Sequence, residues 1–248
     1  PKYDFIANKK YNSSKDYFDD KGGVFKAILA QNAKRLTPSI GVYFSQNSYK
    51  SSISINVPTK GLKEIISIPN IQNSIKNCFE EIADIDEHCV RLITNYSKKF
   101  PNVLEGEVPQ NSNGFESIIN MCAKVLGINS SKEFEDMALN TSMTSGIQID
   151  MKLVSLDGVN YLDYRRIVQS IMAYKMADVD NITLVYSFFE SLSEFICNYV
   201  NEIATDLKAK DVVLCGNMFA NSILLSKTNK TLSKSYNIIL PKEYPLDY

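Results

Sequence analysis

The chain has 248 residues, 44% hydrophobic and 22% charged, which is enough for one large or two small buried cores. Its 27 basic and 28 acidic residues are interspersed and leave a net charge of −1, which excludes the electrostatic footprint of a nucleic-acid or anionic-membrane binder. No apolar run is long enough to span a bilayer, and no stretch reads as a signal peptide.

Five cysteines (Cys78, Cys89, Cys122, Cys197, Cys215) are scattered over apolar segments with no C-x-x-C pair. With a single histidine in the chain, they predict buried thiols in a reducing compartment, the cytoplasm, and no structural zinc site.

Residues 1–22 are polar and aromatic, with Asp16, Asp19 and Asp20 close together. Clustered aspartates can hold a divalent ion, but a solvated turn is the plainer alternative. A short helix is predicted from Val24 to Leu36, with Phe25, Leu29, Ala33 and Leu36 on one face and Pro38 ending it. Ile40, Val42 and Phe44 alternate, as do Ile53 and Ile55, so residues 39–56 predict a β-hairpin, with a further apolar segment at 65–69.

From Ile71 to Lys98 the apolar period becomes helical. His88 falls there beside Glu87 with no nucleophile or second ligand in reach of the pattern, which predicts a surface histidine rather than a catalytic one. Residues 101–113 read as a loop, and 114–127 as a helix stopped by Gly127. Ser130 or Ser131 can cap the next helix. Alternation over 147–156 predicts a strand that Asp157-Gly158 turns toward Val159–Leu162. Asp163 caps one helix, and Asp180 or Asn181 caps a long core helix running to Lys208.

The chemistry concentrates in 211–247. Val212, Val213 and Leu214 predict a buried strand, Gly216-Asn217 a turn, Met218 onward a helix, and Ile238–Leu240 a second buried strand ended by Pro241. A strand, a tight glycine turn and a helix N-terminus can together hold an anion or a nucleotide, although an ordinary βαβ unit has the same parts.

Several of these stretches, in order, resemble the HypF-like carbamoyltransferase family of nickel–iron hydrogenase maturation, which is related to the tRNA threonylcarbamoyl-transfer proteins. V-V-L-C-G-N-M-F-A-N-S-I-L-L (Val212–Leu225) is similar to the family's strand, G-G-V-F-x-N and leucines, with Gly216 and Asn221 matching and Asn217 at the second glycine. I-I-N-M-C-A-K-V-L-G-I resembles L-F-D-A-V-A-A-L-L-G-L, with Asn120 at the aspartate. K-E-F-E-D-M-A-L resembles Y-E-G-Q-A-A, with Glu135 matching and Asp136 at the glycine. V-Y-S-F-F-E-S-L places Phe189 at a family histidine, and I-G-V-Y-F-S-Q-N-S-Y-K places Ser45 at a metal-binding aspartate. The closing P-K-E-Y-P-L-D puts Asp247 at the metal-ligand aspartate, and D-K-G-G-V, from Asp20, stands where the family has its histidine cluster.

The resemblance implies an α/β, actin-like and heat-shock-chaperone-like two-lobed (ASKHA) fold with nucleotide between the lobes. It places an incomplete first lobe at 1–62 and the second lobe at 63–248. It implies a nucleotide site at Gly216, Asn217, Asn221, Glu135 and Asn120, with ATP or AMP and Mg²⁺ as ligands and Asp20 and Asp247 as the remaining metal candidates. The family reaction passes a carbamoyl group through a carbamoyl-adenylate held near a metal. With the matching histidine and aspartate positions changed, three functions follow. The first is an inactive accessory or scaffold domain for hydrogenase maturation proteins; the second is an active carbamoyltransferase with an altered metal site; the third is a structural interaction module, open to oligomerisation.

Overall fold

The structure is a computed structural model that describes residues 22–46, 51–69, 71, 74–105, 108 and 114–242. The first hairpin alternates as its sequence requires. In β1 (Ser39–Tyr43) and β2 (Ser52–Val57), Ile40 pairs with Ile55 and Val42 with Ile53. β3 (Gly61–Ser67) adds antiparallel to β2, so the meander crosses the lobe boundary expected at residue 62 without a break.

On the other side of β1 lie β6 (Asp211–Cys215) and then β7 (Asn237–Ile239), both parallel to their neighbours. β4 (Leu153–Leu156) and β5 (Val159–Leu162) form the predicted hairpin about Asp157-Gly158, and β5 joins β3 in parallel. The result is one seven-stranded sheet in the order β4-β5-β3-β2-β1-β6-β7.

Both faces of its centre are buried, which is why β6 reads as a continuous apolar run. Ile40, Val42, Phe44, Val212 and Leu214 enter the main core, whereas Tyr43, Val213 and Cys215 face the opposite side, under α1 (Gly23–Gln31). Helix α1 lies close because β1 has a glycine there: a Cβ on Gly41 would sit 2.5 Å from the Phe25 ring. The helix is shorter than predicted. It stops at Gln31, Ala33 takes a positive φ, and Leu36 is 84% exposed, because the chain must turn back at once to start β1. Buried Asp211 secures that turn, accepting from Lys34 Nζ (3.1 Å), Thr37 Oγ1 (3.2 Å) and Asn237 Nδ2 (3.1 Å).

The main core is closed by helices inserted between strands. The pattern read as one helix over 71–98 is two, α2 (Ile75–Ala83) and α3 (Glu87–Lys99). The apolar period is continuous, but Asp86 breaks the helix and caps its second half by accepting from Cys89 N at 2.9 Å. His88 is exposed in the first turn of α3, as its polar setting suggested. α4 (Phe115–Leu126) ends at Gly127 in the left-handed region, and Ser130 caps α5 (Ser131–Leu139). Asp163 caps α6 (Tyr164–Met176), and Asp180 caps α7 (Asn181–Leu207). α7 is the 27-residue core helix, about 40 Å long.

The strand expected over 147–156 forms only in its last four residues. Residues 147–151 belong to no strand; they place buried Ile149 in the core, and the N–H groups of Ile147, Ile149 and Asp150 go to helices. Ile147 N and Ile149 N donate to Ser187 Oγ and Ser191 Oγ of α7 at 2.9 Å, one helical turn apart, and Asp150 N donates to Ser170 Oγ of α6 at 3.1 Å. Of the alternating side chains, Ile149 is buried, and Ile147, Met151 and Leu153 are half-buried against the same core. The alternation carried no information about which acceptors the backbone would find.

All five cysteines are free and buried, and burial pushes the Cys122 thiol well above its ordinary range. No helix among the described residues is long and apolar enough to cross a membrane.

Candidate functional site

The site forms where β1 and β6 end side by side. Phe44 N donates to Cys215 O at 2.9 Å, and Met218 N donates to Phe44 O at 3.1 Å, so the two strand ends are stitched on both sides of Gly216. Gly216 has φ +99°, and a Cβ there would lie 2.0 Å from the Phe44 carbonyl oxygen; only glycine fits. The predicted helix does not start at Met218. A 3₁₀ turn, Asn217–Ala220, comes first, and α8 (Ser222–Leu232) begins after Asn221. β7 is likewise a half-buried strand ending at Ile239, not a buried one.

Asn221 is buried and is the helix cap: its Oδ1 accepts from Ile223 N (3.1 Å) and Leu224 N (3.2 Å). Its Nδ2 then donates to Glu135 Oε1 on α5 at 3.0 Å. The other carboxylate oxygen of Glu135 accepts from Gln46 Nε2 at 2.9 Å, and the Gln46 backbone N donates to Asn217 Oδ1 at 2.7 Å. Gln46 O in turn accepts from Glu116 N at the start of α4, 3.0 Å away. Burial raises the Glu116 carboxyl above its ordinary range, opposed by a hydrogen bond with Ser131. Asn120, one turn further along α4 and buried, accepts from Ser131 N at 3.1 Å.

All five nucleotide-site candidates therefore fall in one hydrogen-bonded network. Gly216 shapes the turn, Asn217 holds the segment after β1, Asn221 caps α8, Glu135 joins α5 to both, and Asn120 ties α4 to α5. Sequence reading missed Gln46 and Glu116, which join the two halves of the network. Neither has a local signal, because Gln46 meets Glu135 across 89 positions of chain.

Asn217 does not project into open space, since its carboxamide is engaged by Gln46. Asp136, expected to crowd the same approach, is exposed and lines a different groove with Met137, Asn140 and Ile182. Phe189, at the family histidine position, is a core ring packed edge-on against Phe188 at 5.2 Å. Ser45 is buried, and its N–H donates to Ser51 Oγ at 2.9 Å, with no carboxylate in its place. Asp20 and Asp247 lie outside the described residues, among which no cluster of three or more His, Cys, Asp or Glu is placed to hold a metal.

A groove of about 970 Å³ runs between α7 and α8, but none of the five candidates lines it. Its Lys227 is already engaged by Glu190, by Thr144 O at 2.8 Å and by the Tyr186 ring.

Asn221 both caps a helix and braces Glu135, and two substitutions separate these roles. Asn221→Ala removes both and is expected to cost about 1–2 kcal/mol, seen as a fall in thermal midpoint. Asn221→Asp keeps the cap oxygen but sets a carboxylate against Glu135. Its midpoint should recover partly as the pH is lowered toward the carboxyl range, whereas that of the alanine variant should not. Equal midpoints for both variants at every pH would refute the bracing role.

The seven-stranded mixed sheet with helices inserted between its strands, and the strand–glycine–helix turn at its site, define a mixed α/β domain. The chain belongs to the family described as the carbamoyltransferase Kae1-like domain, second subdomain, whose model matches residues 112–247, more than half of it. It is similar to protein HydE of Wolinella succinogenes, 25% identical over 184 residues that cover 68% of this chain and 33% of that protein. Among solved structures it resembles full-length HypF in its phosphate- and nucleotide-bound form (TM-score 0.63, 14% identity, 89% of this chain and 32% of that one). HypF of T. kodakarensis is comparable (TM-score 0.61, 12% identity, 88% and 32%). The chain thus spans about a third of the length of the relatives it matches.

Proposed function

We propose that this chain is a HypF-like domain without carbamoyl-transfer chemistry, acting as an accessory or scaffold domain for nickel–iron hydrogenase maturation proteins in the cytoplasm. One observation carries the reading: the residues matching the family's nucleotide motifs are used up on each other. Glu135 accepts from Gln46 and Asn221, and Asn221 takes two N–H groups at the α8 N-terminus that an anion would otherwise use. The buried serine at position 45 supports the same conclusion, because a neutral hydroxyl is a poor substitute for a metal-binding carboxylate. ATP or AMP with Mg²⁺ would have to rely on Asp20 or Asp247. The near-zero net charge supports protein partners over nucleic acid or membrane.

The second reading, an active ATP-dependent carbamoyltransferase with an altered metal site, is favoured by the intact Gly216 turn leading into a capped helix. Calorimetric titration with ATP and Mg²⁺ separates the two, together with a test for AMP release in the presence of carbamoyl phosphate. No binding at millimolar ATP and no AMP above background are expected. Saturable micromolar binding with AMP release would establish the active enzyme instead.

A further inference from the structure

We propose that Gln46 is an internal occupant of the Glu135–Asn221 cluster, and that its carboxamide sets the affinity of this site for a nucleotide. The inference rests on reading the cluster as the remnant of a nucleotide cleft. Gln46 leaves the end of β1 from a fixed origin: its N–H is held by Asn217, its carbonyl by Glu116 N, and Phe44, two residues before it, by backbone bonds to β6 and the Gly216 turn. From there its Nε2 reaches 2.9 Å to Glu135 Oε2, while Asn221 Nδ2 holds Glu135 Oε1 at 3.0 Å. Each oxygen of the Glu135 carboxylate thereby accepts a hydrogen bond, one from each side, and the segment after β1 is bound to α5.

A ligand hydroxyl or amino group that takes the position on Glu135 Oε2 held by Gln46 must displace that side chain. Because Gln46 is tethered, it competes at a high effective concentration that no free ligand group enjoys. The apparent affinity falls by the fraction of time the contact is open, so a contact open about a tenth of the time weakens binding roughly tenfold. The fold does not depend on this side chain. Gln46 and Glu135 are only half-buried, so water can satisfy either group when the other is removed, and the stitching of β1 to β6 uses backbone atoms alone.

The test is calorimetric titration of Mg–ATP into the wild-type chain, Gln46→Ala and Gln46→Met, the last keeping the aliphatic stem without the amide. Both variants should bind at least roughly tenfold more tightly than wild type, and adding Glu135→Gln to Gln46→Ala should abolish the gain. Equal, saturable binding in all three proteins would overturn the role of Gln46 and, separately, the loss of nucleotide binding. No binding in any of them, with thermal midpoints near wild type, would overturn the role of Gln46 while leaving the inactive domain intact. Tighter binding that survives Glu135→Gln would also overturn it, because the freed carboxylate would not be the group that binds.

Discussion

Gly216→Ala is expected to unfold the centre of the protein or leave it barely stable. The new methyl would meet the Phe44 carbonyl oxygen at 2.0 Å, its carbon at 2.5 Å and its nitrogen at 2.9 Å, and the alanine would have to adopt φ +99°. These are backbone atoms, so no rotamer relieves the clash. Phe44 cannot withdraw, because its N–H and carbonyl are bonded to Cys215 and to Met218, and its buried ring packs on Phe115 at 4.7 Å and Phe219 at 6.3 Å. Moving it would separate β1 from β6 and detach β6 and β7 from the rest of the sheet. A cost of about 4 kcal/mol or more follows from combined strain and overpacking. That corresponds to a fall of roughly 8–16 °C in midpoint for a domain of this size, or to insoluble expression. A midpoint within roughly 2 °C of wild type would show that the strand ends can part and that the turn is not rigid.

Phe134→Ala should have the second-largest effect. Phe134 is fully buried and meets Phe188 at 5.5 Å and Phe189 at 6.1 Å, both edge-on, so it is the ring through which α5 docks on α7. Truncating it removes the burial and the ring pairing and leaves a cavity among large side chains, for about 3–5 kcal/mol. Phe134→Leu, which refills most of the space, should cost less than half as much. Thermal midpoints of the two variants give the comparison directly. Equal losses would mean that the site repacks and that the aromatic geometry contributes little. Because Glu135 is the next residue, the alanine variant should also loosen the Glu135 contacts with Gln46 and Asn221.

The comparison of sequence with structure divides by the range of the interactions involved. The long helix α7 and its Asp180 cap, the Ser130, Asp163 and Gly127 signals, the Asp157-Gly158 hairpin and the Gly216 turn were all legible. Each is decided by neighbours three or four residues away, or by the steric demands of one residue. The helix over 71–98 was misread because apolar spacing continues through a break that a single capping aspartate makes. The strand over 147–151 was misread because alternation records burial, and burial on serine-bearing helices satisfies it as well as burial in a sheet.

The sequence by itself thus determined the α/β class and the family motif around Gly216 and Asn221. Tertiary structure alone decided that β1, β2, β3, β6 and β7 share one sheet across the expected lobe boundary. It also decided that Gln46 meets Glu135. The physical reason is that a strand's pattern encodes its buried face but not its partner, and a half-buried carboxylate encodes a need for donors but not their source. Once β1 and β6 pair in register, residues 46, 135, 217 and 221 meet, and the nearest donors available to Glu135 are the chain's own amides.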